Sequence, residues 1–179
     1  VKDTADMLRH EVERKGLELD IHIDPRMPFR VRGDEMRVRQ ILVNIGSNAV
    51  KFTERGRIDI RVARVDPGST TTAKVRLEAA DTGIGMSAEA RERIFELFTQ
   101  ADGSITREYG GTGLGTTIAK QLTELLGGEI GLESEPGVGT TFRITLPFSI
   151  ADATTQPEQI ARGGRVFVLS RDRLLAQSL

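Results

Sequence analysis

The sequence contains no cysteine and only two histidines, His10 and His22, among its 179 residues. Without thiols there can be no disulfides, no thiolate nucleophiles and no cysteine-ligated zinc cluster, and the composition fits a reducing compartment. Two histidines also argue against a metal site built from imidazoles. These common types of site are therefore set aside.

An excess of charge of one sign is also missing, because 25 Lys and Arg nearly balance 26 Asp and Glu. The balance gives no indication of a nucleic-acid or membrane-surface partner. No apolar run approaches the length of a membrane span, and residues 1–10 lack the pattern of a signal peptide. The composition is that of one soluble globular domain with flanking residues. Because the chain starts without Met and stops abruptly at Leu179, we expect it to be a piece of a longer protein.

Apolar residues recur with helical period after Asp34, a residue typical of an N-cap. This stripe consists of Val38, Ile41, Leu42, Ile45 and Ala49. Further helical patterns occupy 1–15, 87–98 and 113–126. Ser87 is the predicted N-cap of the helix at 87–98. We expect four helices, of which the one after Asp34 has the strongest pattern.

Alternating apolar and polar residues predict strands at 17–23, 57–65 and 73–81, and a hairpin of 129–135 with 140–148. Antiparallel patterns outnumber parallel ones, and strands and helices alternate irregularly. The predicted fold class is therefore α/β, a two-layer sandwich whose mixed, mostly antiparallel sheet is covered by helices on one face.

Three polar side chains form a second stripe on the helix after Asp34. At about 100° per residue, Asn44, Asn48 and Lys51 fall within about 60° of one another. A solvated face is the ordinary explanation, but asparagine is a poor helix former, so two of them call for a further reason. Amide oxygens can ligate a hard cation such as Mg²⁺, and a nearby Lys can contact phosphate. Gly46, in mid-helix, costs about 1 kcal/mol of helix propensity and gives room to a neighbouring group.

Two glycine-rich stretches are candidate ligand loops. In DTGIGM (81–86), Asp81 ends a predicted strand, where a buried carboxylate could accept a hydrogen bond from an exocyclic amine. Gly83 and Gly85 would let the backbone approach a flat ring, although a plain β-turn is the alternative. In YGGTGLGTTIAKQL (109–122), glycines precede a helix and suit either a polyphosphate or a flexible connector. This second loop is not a Walker loop, because no Gly-Lys-Ser/Thr ends it.

Five stretches of the chain resemble, in order, the N, G1, F, G2 and G3 boxes of the catalytic ATP-binding domain of bacterial hybrid sensor histidine kinases. They are residues 34–53, 81–86, 94–102, 110–115 and 137–142. The resemblance covers 16–149 and implies the Bergerat (GHKL) ATP-binding fold.

The resemblance implies ATP and Mg²⁺ as ligands. Asn44 and Asn48 would hold Mg²⁺, Lys51 would contact the phosphates, Phe52 would lie against adenine, and Asp81 would read the adenine amino group. The other implied nucleotide-binding residues are Gly83, Gly85, Gly111, Thr112, Gly113, Leu114, Gly115 and Thr140.

The family's F box implies a mobile lid over about 99–111, and the polar, glycine-bearing composition of this segment agrees. Phe95 and Phe98 would anchor the lid. Packing of these two rings in the core is the simpler expectation and is compatible with anchoring.

Position 44 divides the superfamily by chemistry. Its hydrolysing branches carry a water-activating Glu where this chain has Asn44, and an amide cannot act as a general base. The resemblance therefore implies a domain that presents the γ-phosphate of ATP to a protein histidine in a two-component phosphorelay, with slow hydrolysis of its own. A pseudokinase or regulatory module that binds nucleotide weakly or not at all is the alternative. Gly46 and the degenerate start of a receiver-like domain favour it slightly, and the intact Asn44, Asn48, Lys51, Asp81 and G2 glycines oppose it more.

His10 does not fit the phosphoacceptor, because it lies too close to the N box and lacks the Thr/Asn-Pro of the family box. We expect the phosphoacceptor outside the chain, no catalytic residue within it, and no kinase activity of the chain alone. Residues 1–15 would end the dimerisation and phosphoacceptor helix, 16–149 form the catalytic domain, and 150–164 a linker. Residues 165–179 would begin a truncated receiver-like domain.

Ser170 and Arg171 stand where receivers carry paired acidic residues, so that domain would be degenerate. The implied partners are the phosphoacceptor helical domain of the same protein or of its dimer partner, and a receiver domain or response regulator. No nucleic-acid partner is expected. The chain should be a monomer and its parent a homodimer, cytoplasmic in this domain and compatible with an anchor in the bacterial inner membrane.

Overall fold

The computed structural model describes residues 2–25, 27, 30–66, 69–96, 114–151 and 165–168. The helices in this part of the chain are α1 (Lys2–Lys15), α2 (Glu35–Phe52), α3 (Ala88–Arg93) and α4 (Gly115–Leu125). The strands are β1 (Glu18–Ile23), β2 (Arg30–Gly33), β3 (Arg57–Arg64), β4 (Thr72–Asp81), β5 (Glu129–Glu135), β6 (Gly139–Ile150) and β7 (Arg165–Val168). None of the described helices is both long and apolar enough to cross a membrane.

The strands form one sheet in the order β1-β3-β4-β6-β2-β7, and β5 also pairs with β6. β1 and β3 run parallel, whereas the other pairs run antiparallel. β6 pairs with β4 along one edge, and its other edge is shared by β5 and β2. The predicted mixed, mostly antiparallel sheet is confirmed.

One face of the sheet carries the core. On β4, Ala73, Val75, Leu77 and Ala79 are buried, whereas the residues between them are more exposed. The buried residues pack against the apolar stripe of α2 and against Ala119 of α4. The opposite face carries charges such as the Arg143–Glu78 pair, 3.3 Å from Nε to Oε1. This asymmetry confirms the two-layer sandwich.

Helix α2 begins as the sequence predicts. The Asp34 carboxylate accepts a hydrogen bond from the backbone N–H of Arg37 at 3.1 Å, which satisfies one of the free N–H groups of the first turn. The apolar stripe predicted along this helix is buried. Because α2 is fixed at its start and along its inner face, its polar stripe has a defined direction.

Helix α1 packs on α2 at Gly46. A Cβ at position 46 would collide with the Leu8 side chain, so the absence of a side chain there admits Leu8. Leu8 and Val12 are buried in a second apolar cluster with Ala49 and Val50 of α2. The neighbouring group for which Gly46 was predicted to give room is therefore Leu8.

Lys15, in the last turn of α1, contacts the end of α2. Its Nζ donates to the carbonyl oxygens of Val50, Lys51 and Thr53 at 2.6, 3.1 and 3.2 Å. The last carbonyls of a helix have no partner within it and form the negative end of its dipole. The ammonium group therefore stabilises the end of α2.

Two elements differ from the prediction in extent or setting. α3 is capped by Ser87, whose Oγ accepts from the Ala90 N–H at 3.2 Å, but it ends at Arg93, well before position 98. β7, within the segment 165–179, pairs antiparallel with β2 and so extends the sheet. Its assignment to a receiver-like domain stays a prediction.

Candidate functional site

The candidate site lies where the second half of α2 meets the end of β4 and the start of α4. Asp81 ends β4 and is in register with Thr140 of β6. The loop after Asp81 returns to α2, because the Ile84 N–H donates to the Phe52 carbonyl at 3.2 Å. On the other side, Asn48 Nδ2 lies 3.9 Å from the Cβ position of Gly115. Residues predicted from three separate motifs are thus brought together.

Asp81 is half-buried and held by backbone donors. Its Oδ1 accepts from the Gly83 N–H at 2.9 Å. Burial raises the pKa of the Asp81 carboxyl, and hydrogen bonds from the backbone N–H groups of Gly83 and Thr140 partly oppose this effect. The result is a carboxyl group of fixed orientation that can accept a hydrogen bond from an amine.

The glycines after Asp81 are required by contacts within the protein. A Cβ on Gly83 would collide with the Phe52 carbonyl and lie 2.9 Å from Asp81 Oδ1. Gly85 has φ of 66°, a left-handed conformation, and a Cβ there would collide with the Glu135 carbonyl. The approach of a flat ring, the reason inferred from the sequence, stays a prediction, whereas close contact with neighbouring backbone is observed.

Thr140 is buried beside Asp81, with its Oγ1 2.8 Å from Ser134 Oγ. Ser134 Oγ donates its single hydrogen to the Gly139 carbonyl at 2.9 Å, so the Thr140 hydroxyl must be the donor between the two side chains. Gly139 itself leaves no room for a Cβ beside the Asp81 carbonyl. Sequence reasoning missed Ser134 and Gly139, although the alternation of β5 and the G-V-G turn could have indicated both.

Asn44 and Asn48 lie one turn apart on α2 and are half-buried. Asn44 Nδ2 is buried without a hydrogen-bond partner among the described residues. Such atoms are uncommon in folded proteins, and this one leaves hydrogen-bonding capacity that a ligand or water could use. Rotation of the amide would present its oxygen instead, a hard donor suited to Mg²⁺.

The donor set fits a cation that arrives with a polyphosphate. Within the described residues, no group of three or more His, Asp or Glu could hold a metal ion. The two amides would therefore supply only part of the coordination, and Mg²⁺ commonly takes the remainder from phosphate oxygens and water.

Lys51 lies half-buried at the end of α2, with Nζ 4.7 Å from the centroid of the Phe52 ring. Burial lowers the pKa of its ammonium group. No ion pair formed among the described residues involves Lys51. Lys51 therefore has no counter-ion among the described residues and is suited to an anionic ligand.

Part of the predicted site lies outside the described residues, namely Gly111, Thr112, Gly113, Phe98 and the lid segment 99–111. Leu114 is the N-cap of α4, without a side-chain capping bond, and Gly115 is the first helical residue. The core packing expected of Phe95 is observed, because its ring meets Phe142 edge to face with centroids 6.5 Å apart.

Sequence reasoning also missed a role for Thr116 and Thr117. Both are buried at the start of α4, and their hydroxyls donate to the carbonyls of Ile94 and Glu96. Two adjacent buried hydroxyls on the apolar face of a helix are a signal that could have been noticed, since each needs a partner.

Known proteins resemble the chain in sequence and in fold. Residues 33–150 match the family described as histidine kinase-, DNA gyrase B-, and HSP90-like ATPase. The sensor histidine kinase AruS of Pseudomonas aeruginosa is 44% identical over 151 residues, covering 84% of this chain and 15% of AruS. The sensor histidine kinase GacS of Pseudomonas protegens is 40% identical over 181 residues, covering 100% of this chain and 20% of GacS.

A solved structure agrees with these sequence matches. The crystal structure of full-length ShkA in complex with AMPPNP has a TM-score of 0.72 at 37% identity, covering 85% of this chain and 30% of that one. The chain spans 15% and 20% of the lengths of AruS and GacS, so it corresponds to one part of each.

Proposed function

Because the chain belongs to the histidine kinase-, DNA gyrase B-, and HSP90-like ATPase family, we propose that it is the ATP-binding catalytic domain of a sensor histidine kinase. The observation that carries the proposal is the meeting of the Asp81 carboxyl with the polar stripe of α2 across a loop of close-packed glycines. One side suits an amine on a flat ring, and the other suits phosphate and a hard cation. The names of AruS and GacS support the kinase class.

On the base side, Asp81 accepts a hydrogen bond from the adenine amino group. Phe52 lies against the ring, and Thr140 contacts the base directly or through water. The backbone donors from Gly83 and Thr140 keep the carboxyl in one orientation, so little side-chain entropy is lost on binding.

On the phosphate side, Asn44 and Asn48 hold Mg²⁺, and Lys51 with Gly115 contacts the phosphates. Gly111, Thr112, Gly113 and Leu114 complete the predicted phosphate loop. When bound, Mg²⁺ neutralises phosphate charge and fixes the phosphate geometry. The chain's own groups orient the γ-phosphate for attack by a histidine nitrogen outside this chain.

Position 44 carries no general base that could activate water. The phosphoryl group moves from the oxygen between the β- and γ-phosphorus atoms to a histidine nitrogen, and ADP leaves. Asn44 cannot take a proton from water, so hydrolysis should be slow. Purified chain incubated with labelled ATP should acquire no acid-labile phosphate, and labelling of His10 would contradict the assignment of the phosphoacceptor to another segment.

Calorimetric titration with AMPPNP, with and without Mg²⁺, tests the proposal. Wild-type chain should bind saturably and more tightly with Mg²⁺. Asp81→Asn should lose at least about 100-fold in affinity, because its amide oxygen is held by the Gly83 N–H and its NH2 group, a donor, would then face the donor amine. Asp20→Asn, an exposed change on β1, is the matched control and should bind like wild type. Absence of binding by folded wild-type chain would contradict the proposal.

Two features favoured the alternative of a regulatory module without nucleotide, namely Gly46 and the degenerate start of the receiver-like domain. Packing of Leu8 in the space above Gly46 supplies a structural reason for this glycine, so Gly46 no longer favours the alternative.

For the longer protein, we propose the arrangement inferred from the sequence. Residues 1–15 lead from a phosphoacceptor helical domain, 16–149 bind ATP, 150–164 link, and 165–179 begin a degenerate receiver-like domain. Its partners are the phosphoacceptor domain in a homodimer and a receiver domain. The catalytic domain lies in the cytoplasm, and the parent is compatible with a membrane anchor.

A further inference from the structure

The end of α3 is tied to the first turn of α4 by two hydroxyl groups. Thr116 Oγ1 donates to the Ile94 carbonyl at 2.8 Å, and Thr117 Oγ1 donates to the Glu96 carbonyl at 3.1 Å. α3 ends at Arg93, so the two bonded carbonyls belong to the residues that directly follow this helix. Thr116 is 6% exposed and Thr117 is 3% exposed, so water cannot readily replace either bond.

The residue between the two bonded carbonyls is held as well. The ring of Phe95 packs edge to face on Phe142, and Lys120 Nζ of α4 lies 5.7 Å from the Phe95 centroid. Three consecutive residues, 94–96, are therefore each fixed by a different contact, and α4 supplies a group to all three.

The same turn of α4 forms part of the candidate site. Gly115, its first residue, adjoins Asn48 of α2, and α4 packs along α2. A shift of the first turn of α4 would therefore change the spacing between Gly115 and the amide of Asn48. The two threonines lie one and two residues after Gly115, so they act on this turn directly.

We propose that Thr116 and Thr117, the threonine pair, are positioning residues for the phosphate side of the nucleotide site. By fixing 94–96 to the first turn of α4, they set the position of Gly115 relative to Asn48. This inference rests on the proposed function. It separates the two halves of the ligand, because the side chains of the threonine pair bond Ile94 and Glu96, whereas those of Asp81 and Thr140 bond Gly83 and Ser134.

The test compares a ligand that has phosphates with one that lacks them. In Thr116→Val/Thr117→Val, shape is kept and both hydroxyls are removed. Affinity for Mg²⁺–AMPPNP should fall about tenfold, the effect of losing two hydrogen bonds. Affinity for adenosine should stay within about twofold of wild type, and Thr116→Ser/Thr117→Ser should restore AMPPNP binding, because serine keeps the donor.

Thr123→Val is the matched control. Thr123 is fully buried in the same helix, and its hydroxyl donates to Ala119 within α4 at 2.7 Å, so its removal leaves α3 untouched. This variant should bind both ligands like wild type. Wild-type affinity for AMPPNP in the double valine variant, or an equal loss for adenosine and AMPPNP, would overturn the proposal.

Hydrogen exchange tests the contact between the threonine pair and residues 94–96 without requiring nucleotide binding. If wild-type chain binds neither ligand, the proposed function fails, and the positioning role fails with it. The tie itself is still tested by amide exchange in α3 and 94–96, which should be faster in the double valine variant than in Thr123→Val. Unchanged exchange would show that the hydroxyls do not hold these residues.

Discussion

The base side and the phosphate side of the candidate site are built differently. On the base side (Asp81, Gly83, Gly85, Ser134 and Thr140), the polar side chains have hydrogen-bond partners within the protein. On the phosphate side (Asn44, Asn48 and Lys51), Asn44 Nδ2 has no partner among the described residues, and Lys51 joins none of their ion pairs.

This difference in hydrogen bonding implies that the base side and the phosphate side contribute to nucleotide binding in different ways. A base side whose groups already bond one another is preformed and selects by shape and by one carboxyl group. A phosphate side with unmet hydrogen-bonding capacity gains most when an anion and a cation arrive together. Stability should therefore depend chiefly on the base side and nucleotide affinity on both.

The largest expected effect comes from Gly85→Ala. It forces a side chain into a left-handed conformation and against the Glu135 carbonyl, and should lower the free energy of unfolding by about 3 kcal/mol or more. Nucleotide binding should disappear with it. Urea unfolding measures the change. Gly131→Ala, where a Cβ meets no atom within 4 Å, is the control and should alter stability by less than about 1 kcal/mol.

Asn44→Ala tests the phosphate side and should weaken nucleotide binding without lowering stability. It removes a buried amide nitrogen that has no partner in the described part of the chain, so the free energy of unfolding should stay unchanged or rise by about 1 kcal/mol. The Mg²⁺-dependent gain in AMPPNP affinity should fall at least about tenfold, whereas adenosine binding should not change. A clear loss of stability without ligand would show that the phosphate side is as self-contained as the base side.

The smallest effect is a pH dependence from Asp81. Its folded-state pKa is raised from 3.8, so the folded state binds the proton more tightly than the unfolded state. The contribution of this group to stability is therefore complete below pH 3.8 and is lost as pH rises through the raised pKa. Asp81→Asn should lack this loss and be at least as stable as wild type at neutral pH.

Urea unfolding of both proteins across this pH range measures the difference. Base recognition should have the opposite dependence, because only the carboxylate accepts from the amine with both oxygens. Stability of wild type that rises with pH relative to Asp81→Asn would contradict the burial of this carboxyl.

Local patterns in the sequence were sufficient for the elements and for much of the site. The cap at Asp34 and the stripe of α2 follow from neighbouring residues, so the direction of Asn44, Asn48 and Lys51 could be predicted. The position of Asp81 at a strand end follows from the alternation of β4.

Contacts between distant residues were beyond such patterns. The threonine pair bonds carbonyls 22 and 21 residues away, and Lys15 bonds carbonyls 35 to 38 residues away. Their partners are backbone atoms, which carry no residue-specific signal in the sequence. For the same reason, periodicity could not show that Gly83 and Gly85 face the backbone of Phe52 and Glu135.

The contact of α1 with α2 has a mechanical consequence. Leu8 of α1 occupies the space that Gly46 of α2 leaves. Two turns further along α1, Lys15 donates to three carbonyls at the end of α2. A slip of one residue along α1 would move these side chains by about 1.5 Å and turn them by about 100°. Both contacts would be broken together, so α1 has a single register and a single rotational setting on the helix that carries Asn44, Asn48 and Lys51.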